Sequence, residues 1–177
     1  QHAYLIQNGS DPEMFRPDVP PVEGMQRRGT RVQVAWIGSA VNAIHDVELI
    51  HGLCCLIDQQ NLPIDVHVIG QTEGHFARPY PKCMVMHGPV AYPKLPAYLS
   101  GMDVGLAVYN IRYDGGSPLK LFDYLASGCV PICSPCQPME EVLSGAEVGF
   151  IKSWTASTLA DQLMQLRSDR AQLDRMS

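Results

Sequence analysis

From Arg31 onwards, short apolar runs alternate with longer segments in which apolar residues recur at helical spacing. The apolar runs predict strands at residues 32–37, 64–69, 83–87, 103–109, 130–133 and 148–151. The segments between and after them predict helices at residues 46–60, 95–100, 117–128, 139–143 and 157–167. Apolar strands interleaved with helices indicate a parallel sheet whose two faces are both covered by helices. The pattern therefore predicts an α/β fold, a doubly wound Rossmann-like sheet whose ligands bind beyond the carboxyl ends of the strands.

The residues before Arg31 do not share this alternation. Residues 3–7 predict a short strand, Asn8-Gly9 predicts a turn, and Ser10-Asp11-Pro12 predicts the start of a short helix. Residues 17–30 are rich in proline and poor in apolar side chains, which is typical of a linker. We therefore divide the chain into residues 1–30 and a main domain at residues 31–177. The last residues of that domain, 168–177, are polar and predict an unanchored end.

The helix predicted to begin at residue 117 follows a glycine-rich turn. Gly115 and Gly116 leave the backbone free to approach a ligand closely. Ser117 suits a helix cap, and Pro118 suits the first helical position, which needs no N–H group. Gly128 suits the end of the same helix. The start of this helix therefore offers unpaired N–H groups and a positive dipole end, where phosphate groups bind.

Lys120 and Asp123 lie in the first turns of this helix, on nearly the same face. Lys120 adds a mobile positive charge to the helix N-terminus, and the Asp123 carboxylate can accept hydrogen bonds from neutral hydroxyl groups. A phosphate site beside a hydroxyl acceptor is what a nucleotide-sugar requires. The alternative is that both residues are solvent-exposed, with Asp123 pairing to Lys120 on the outer face of an amphipathic helix.

Composition narrows the class of protein. The net charge of −5 argues against a nucleic-acid-binding surface. No apolar run is long enough to span a bilayer, and the six dispersed cysteines indicate reduced thiols in a cytoplasmic protein. The spacing of Cys133 and Cys136 occurs in zinc and redox sites. No second Cys or His pair of suitable spacing accompanies it, so we predict no metal site.

Three stretches of the chain resemble a known family. Residues 117–132, SPLKLFDYLASGCVPI, resemble the signature of the group 1 (family 4) retaining glycosyltransferases. Residues 7–17, QNGSDPEMFRP, resemble the segment through which that family enters its second domain. Residues 95–106 are similar to the helix and strand that precede its donor loop. The three matches are colinear, so the resemblance covers nearly the whole chain.

The resemblance implies a GT-B architecture, in which two Rossmann-like domains face a cleft and the second domain holds the donor nucleotide-sugar. This chain resembles that second domain. Residues 31–177 would bind the nucleotide-sugar, and residues 1–30 would be a strand, a short helix and a linker from the missing first domain.

The implied reaction transfers a hexosyl group from a nucleoside diphosphate, UDP or GDP, with retention at the anomeric carbon. It needs no metal or other cofactor, since fixed positive groups can stabilise the diphosphate leaving group. A carbohydrate, lipid or polysaccharide acceptor would bind the missing domain. The resemblance also implies a cytoplasmic enzyme whose full-length form associates only peripherally with a membrane, and a fragment that is inactive alone.

Carried over residue by residue, the resemblance assigns Lys120 to the donor diphosphate. It assigns Asp123 to the ribose hydroxyls, as the second acid of the family's E-x7-E pattern. The first acid falls on Gly115, which has no side chain. Contact with the donor sugar then comes either from Asp114 or from the backbone amides of Gly115 and Gly116.

Other positions complete the implied donor site. Gly38 and Ser39 follow the first predicted strand of the main domain, and His45 takes the place of a basic residue that the family directs at the diphosphate. Histidine is only partly charged near neutral pH, so it would bind phosphate weakly or in a pH-dependent way. Alternatively, His45 simply precedes or caps the next helix. Val90 lies where the family packs its nucleotide base. The remaining implied contacts come from the helix start, at Ser117, Pro118 and Leu119.

Two other function classes stay open at this point. A non-catalytic GT-B-like interaction or nucleotide-binding module would be consistent with Gly115 and His45. A dinucleotide-dependent oxidoreductase is disfavoured, because residues 38–43 lack the G-x-G-x-x-G spacing that lets a backbone reach a pyrophosphate. The sequence does not identify the base, the sugar or the acceptor.

Overall fold

The strands of this protein form one parallel sheet in a computed structural model that describes residues 8–110, 118–145 and 147–177. The strands are β1 (Val32–Ile37), β2 (Ile64–Ile69), β3 (Met84–Gly88), β4 (Val104–Ala107), β5 (Val130–Cys133) and β6 (Phe150–Ile151). Their spatial order is β3-β2-β1-β4-β5-β6, and each neighbouring pair is parallel. The predicted α/β doubly wound, Rossmann-like fold is confirmed.

Helices cover both faces of this sheet. They are α1 (Val47–Gln60), α2 (Leu95–Leu99), α3 (Leu119–Ala126), α4 (Gln137–Leu143), α5 (Ala156–Ser168) and α6 (Arg170–Met176). One hydrophobic core joins α1, α5 and α6 to alternate β1 residues, among them Trp36. A second core joins α2, α3 and α4 to the opposite face, where Ala35 lies. The sheet is therefore buried on both sides, as its apolar strands require.

The strand order reverses between β1 and β4. After β1 the chain builds β2 and β3 on one side, and it then crosses to the other side to form β4, β5 and β6. At such a switch point the loops diverge and leave a crevice beyond the carboxyl ends of the two strands. Helix α3 packs closely beside this crevice. The Tyr124 hydroxyl accepts a hydrogen bond from the Ile37 amide at 3.0 Å and donates to the Leu106 carbonyl at 3.2 Å.

The segment before the sheet differs from its sequence-based prediction. The short helix expected from Ser10 is a single turn, in which the Phe15 amide donates to the Asp11 carbonyl at 2.8 Å. Residues 17–30 contain no helix or strand, but they are anchored to the domain rather than free. The Arg27 guanidinium donates to the carbonyls of Met102 and Ser127, each at 2.6 Å. The strand predicted at residues 3–7 lies outside the described residues.

The prediction of an unanchored end at residues 168–177 is wrong. Helix α6 occupies this segment and buries Leu173 and Met176 in the core it shares with α1 and α5. The Arg170 side chain also donates to the Gly29 carbonyl at 3.0 Å. The two apolar residues lie one helical turn apart within a polar run, so they give little periodic signal. No helix in the part of the chain that the structure describes has the length and apolarity needed to cross a membrane.

Candidate functional site

Three rings surround the crevice between β1 and β4. Trp36 lies near the end of β1, His45 lies just before α1, and Tyr109 follows β4. The His45 ring stacks on the Tyr109 ring with centroids 5.4 Å apart, and it meets the Trp36 ring edge-on at 5.5 Å. A backbone bridge also pairs His45 with Tyr109. The loop after β1 is therefore folded against the end of β4, which defines the shape of the crevice.

Helix α3 begins at Leu119, one residue after Pro118, the predicted first helical position. Pro118 is the cap residue, with an extended ψ of 106°, and no side chain among the described residues caps the helix. Pro118 is therefore not the first helical residue, because that position requires a helical ψ. The first N–H groups of the helix, from Leu119 and Lys120, have no acceptor within it. Gly128 has a φ of +70° at the other end, as the predicted helix stop requires.

The ammonium of Lys120 lies inside the crevice. Its Nζ is buried and has no hydrogen-bond partner among the described residues, although part of the side-chain stem is exposed. The Nζ atom is 5.4 Å from the ring centroids of both Trp36 and Tyr109. Burial lowers the pKa of Lys120 to about 7. The alternative of a solvent-exposed lysine is wrong. A buried ammonium without an acceptor is costly, so this arrangement favours an anionic ligand.

His45 lies close enough to Lys120 for their charges to interact. Its Nδ1 is buried and lacks a hydrogen-bond partner in the described ranges. Burial first, and the neighbouring Lys120 charge second, together lower the pKa of His45 to about 4. The ring is therefore neutral at pH 7 and can offer a single N–H donor. The cap of α1 is Asp46, whose carboxylate accepts a hydrogen bond from the Leu49 amide at 2.9 Å.

Gly38 has a packing role that the sequence did not reveal. Its amide donates to the Ile69 carbonyl at 3.0 Å, so this N–H group is not available to a phosphate. A Cβ atom added at Gly38 would lie 2.9 Å from a Trp36 ring carbon. The carbonyl of Ser39 accepts a hydrogen bond from the Asn42 amide at 3.0 Å, which turns the loop towards α1. Gly38 and Ser39 thus lie in the loop that follows β1, and their contact with a donor stays a prediction.

Asp123 is a buried carboxylate held by two hydroxyl groups. Its Oδ1 accepts hydrogen bonds from Ser10 Oγ at 2.7 Å and from the Tyr92 hydroxyl at 3.1 Å. Burial raises the pKa of Asp123, and the two hydrogen bonds act in the opposite direction. The side chain is 3% exposed, so the alternative of a surface pair with Lys120 is wrong. Sequence analysis missed Ser10 and Tyr92 as members of the site. Ser10 lies within residues 7–17, which resemble the family, whereas no motif in the sequence pointed to Tyr92 as a site residue.

The other predicted site residues divide into two groups. Val90 follows β3 and packs, half-buried, against the core formed with α2 and α3, while the Leu119 side chain is exposed. Four predicted contacts lie outside the described residues and stay predictions: Asp114, Gly115, Gly116 and Ser117.

The cysteines lie mostly in the interior. Cys133 and Cys136 are both buried, and burial raises the pKa of the Cys133 thiol. Within the described ranges, no group of three or more His, Cys, Asp or Glu side chains is arranged to hold a metal ion. The groups that lie at the crevice are the buried ammonium of Lys120, the neutral imidazole of His45 and the N-terminus of α3.

Comparison with known proteins identifies relatives of this chain. A family model described as glycosyl transferase-like matches residues 52–177. No curated protein matches the chain significantly.

Solved structures share the fold at low sequence identity. The C-terminal domain of a group 1 family glycosyl transferase (LpcC) from Francisella tularensis is 17% identical, with a TM-score of 0.67 over 95% of this chain and 92% of that one. Anabaena Alr3699/HepE, solved with UDP and glucose, is 11% identical, with a TM-score of 0.69 over 96% of this chain and 48% of that one. A TarM mutant from S. aureus, solved with UDP, Fondaparinux and alpha-GlcNAc-glycerol, is 14% identical, with a TM-score of 0.68. That match covers 92% of this chain but only 33% of TarM.

Proposed function

Because this chain belongs to the glycosyl transferase-like family, we propose that it is the donor-binding domain of a group 1 (family 4) retaining glycosyltransferase. It binds a nucleotide-sugar, with UDP or GDP as the nucleotide, in the crevice between β1 and β4. The enzyme transfers a hexosyl group to a carbohydrate, lipid or polysaccharide acceptor, which binds a preceding domain. We further propose a cytoplasmic location and peripheral membrane association of the whole enzyme.

The observation that carries this proposal is the buried ammonium of Lys120 beside the start of α3, for which the described residues supply no hydrogen-bond acceptor. A helix N-terminus and a nearby cation together bind phosphate groups well. During glycosyl transfer the diphosphate leaves with additional negative charge, and a positive group that is already in place stabilises it without reorganisation. Lys120 would serve this role without a metal ion. His45 would add one neutral hydrogen bond rather than a second charge.

Asp123 would bind the ribose of the donor. A carboxylate accepts hydrogen bonds from two vicinal hydroxyls, and the bonds from Ser10 and Tyr92 to Oδ1 hold its orientation. The sugar would be contacted by Asp114 or by the amides of Gly115 and Gly116, and the base would pack near Val90.

Calorimetry with UDP and with GDP tests the phosphate assignment. We expect the chain to bind one of them and the Lys120→Ala variant to bind it about 10- to 100-fold more weakly, since a hydrogen bond to a charged group contributes roughly 1.5–3 kcal/mol. Lys152→Ala is the matched control, because Lys152 is exposed and lies over the Trp154 ring instead. Equal affinity of the Lys120→Ala variant and the parent would exclude the assignment.

A nucleotide-binding module without catalysis is a second candidate. The neutral state of His45, at a position where the family resemblance expects a basic residue, favours it. Assay of the full-length protein with a panel of nucleotide-sugars separates the two candidates, because only the enzyme releases free nucleotide when acceptor is present.

A further inference from the structure

Trp36 encloses Lys120 although it has no place in the donor site proposed above. Its ring is fully buried in β1, with the Lys120 Nζ 5.4 Å from its centroid and the Phe76 ring perpendicular to it at a centroid distance of 6.3 Å. Tyr109 lies over the same ammonium at 5.4 Å. Trp36 Nε1 is also buried and has no hydrogen-bond partner among the described residues. Lys120 and His45 are thus the titratable side chains that lie against this ring at the crevice.

Among the described residues, the titratable groups beside the Lys120 Nζ carry no negative charge at neutral pH. His45, from the loop before α1, is neutral because its pKa is about 4. Cys133, from β5, is a protonated thiol because burial raises its pKa. No described carboxylate forms an ion pair with Lys120. The rings of Trp36 and Tyr109 instead cover the nitrogen and shield it from water.

We propose that Trp36 is a positioning residue for the donor diphosphate: with Tyr109 it encloses the Lys120 amine, so that donor binding takes up one proton at that amine. Above pH 7, where the free amine is mostly neutral, the proton comes from solvent on donor binding, so that the amine is already an ammonium facing the diphosphate before transfer begins. This inference rests on the proposed function, because the diphosphate supplies the negative charge that the enclosure lacks.

The sign of the resulting pH dependence follows from the burial of Lys120. Burial lowers the pKa of Lys120 to about 7, and a bound diphosphate raises it again. Donor affinity is therefore complete below pH 7 and falls as the pH rises above 7. Between pH 6 and pH 9 we expect a loss of roughly 90-fold, which approaches tenfold per pH unit at the alkaline end.

Calorimetry with UDP-glucose and with GDP-mannose measures the proton directly. The diphosphate of these donors is esterified at both ends and does not itself titrate near neutral pH. Measured at pH 8 in two buffers of different ionisation enthalpy, binding should take up about 0.9 proton. Trp36→Leu should abolish this uptake and reduce the change between pH 6 and pH 9 to less than about threefold. Trp36→Phe keeps a ring over Lys120 and should retain both. Trp154→Leu is the matched control, because Trp154 lies over Lys152 rather than Lys120, and it should leave the pH profile unchanged.

A second measurement needs no ligand. The chain has two tryptophans, so Trp154→Phe leaves Trp36 as the single emitter. Its fluorescence should change with a midpoint near pH 7, because the charge on Lys120 lies against the ring. Lys120→Met should remove this transition. A transition caused by His45 would instead lie near pH 4, where that ring takes up its proton.

The outcomes separate the two proposals. Failure of both nucleotide-sugars to bind at any pH would overturn the donor function and, with it, the coupling. Binding without proton uptake, or a fluorescence transition near pH 7 that persists in the Lys120→Met variant, would overturn the role of Trp36 and leave the donor function intact.

Discussion

Gly105 in β4 allows helix α3 to pack directly on the sheet. A substitution at Gly105 tests whether this close packing holds Lys120 in the crevice. A Cβ atom at Gly105 would lie 2.3 to 2.5 Å from three ring carbons of Tyr124. Real Cβ contacts lie beyond 3.0 Å, so the ring must withdraw. The Tyr124 hydroxyl then loses its bonds to the Ile37 amide and the Leu106 carbonyl. Because α3 carries Lys120, the same movement displaces the ammonium from the crevice.

We expect Gly105→Ala to lower the free energy of unfolding by about 2–6 kcal/mol. Overpacking of a close contact costs about 1–3 kcal/mol, and leaving buried hydrogen-bonding groups unpaired costs about 1–3 kcal/mol more. Urea unfolding at constant pH measures the loss, and nucleotide calorimetry should show weaker binding by the folded variant. Gly52→Ala is the matched control. Gly52 lies in α1, and a Cβ there would find its nearest neighbour at an ordinary 3.7 Å.

A double variant tests whether the Tyr124 ring causes the destabilisation by Gly105→Ala. Tyr124→Leu removes most of the ring, so Gly105→Ala should cost at least about 1 kcal/mol less in that background than in the parent, as expected for residues in contact. If Gly105→Ala unfolds at the same urea concentration as the parent, the close packing of α3 on β4 is not as described. If it destabilises both backgrounds equally, the clash does not involve the Tyr124 ring.

The remaining predictions concern the donor acid, a buried histidine and the last helix. Ser10→Ala removes a hydrogen bond to Asp123 and should cost about 1 kcal/mol of stability and weaken nucleotide binding; unchanged affinity in calorimetry would contradict a role in orienting Asp123. Burial lowers the pKa of His67 to about 4, so the neutral ring contributes fully to stability above pH 6.5. As the pH falls towards 4, the free energy of unfolding should decrease by on the order of 3 kcal/mol. Unfolding curves of parent and His67→Gln across this range should converge, and parallel curves would refute the assignment. Leu173→Ala should cost about 2–5 kcal/mol, and a loss below 1 kcal/mol would mean that α6 is not anchored.

Local patterns predicted most of the sheet and its helices. The strands at residues 32–37, 64–69 and 130–133 have the predicted bounds, because a short, mostly apolar run indicates a strand that is buried on both faces of a sheet. Gly128 marked the end of α3, since its φ of +70° favours a residue without a side chain. Helix α6 was missed because only two of its residues, Leu173 and Met176, are buried.

Residues close together in the sequence predicted only part of the candidate site. Lys120 and Asp123 could be predicted as site residues because both lie in the first turns of a helix that follows two glycines in the sequence. Their surroundings come from distant parts of the chain. Ser10 reaches Asp123 from before the sheet, and Trp36 reaches Lys120 from β1.

Periodicity reports which side of an element is buried, because that property depends only on residues within the same helix or strand. The charge state of Lys120 and the hydrogen bonds of Asp123 depend instead on which elements meet at the reversal of strand order. Long-range packing decides those contacts. The sequence alone therefore predicted which residues at the start of α3 belong to the site. The burial that lowers the pKa of Lys120 arises only when β1, β4 and α3 pack together.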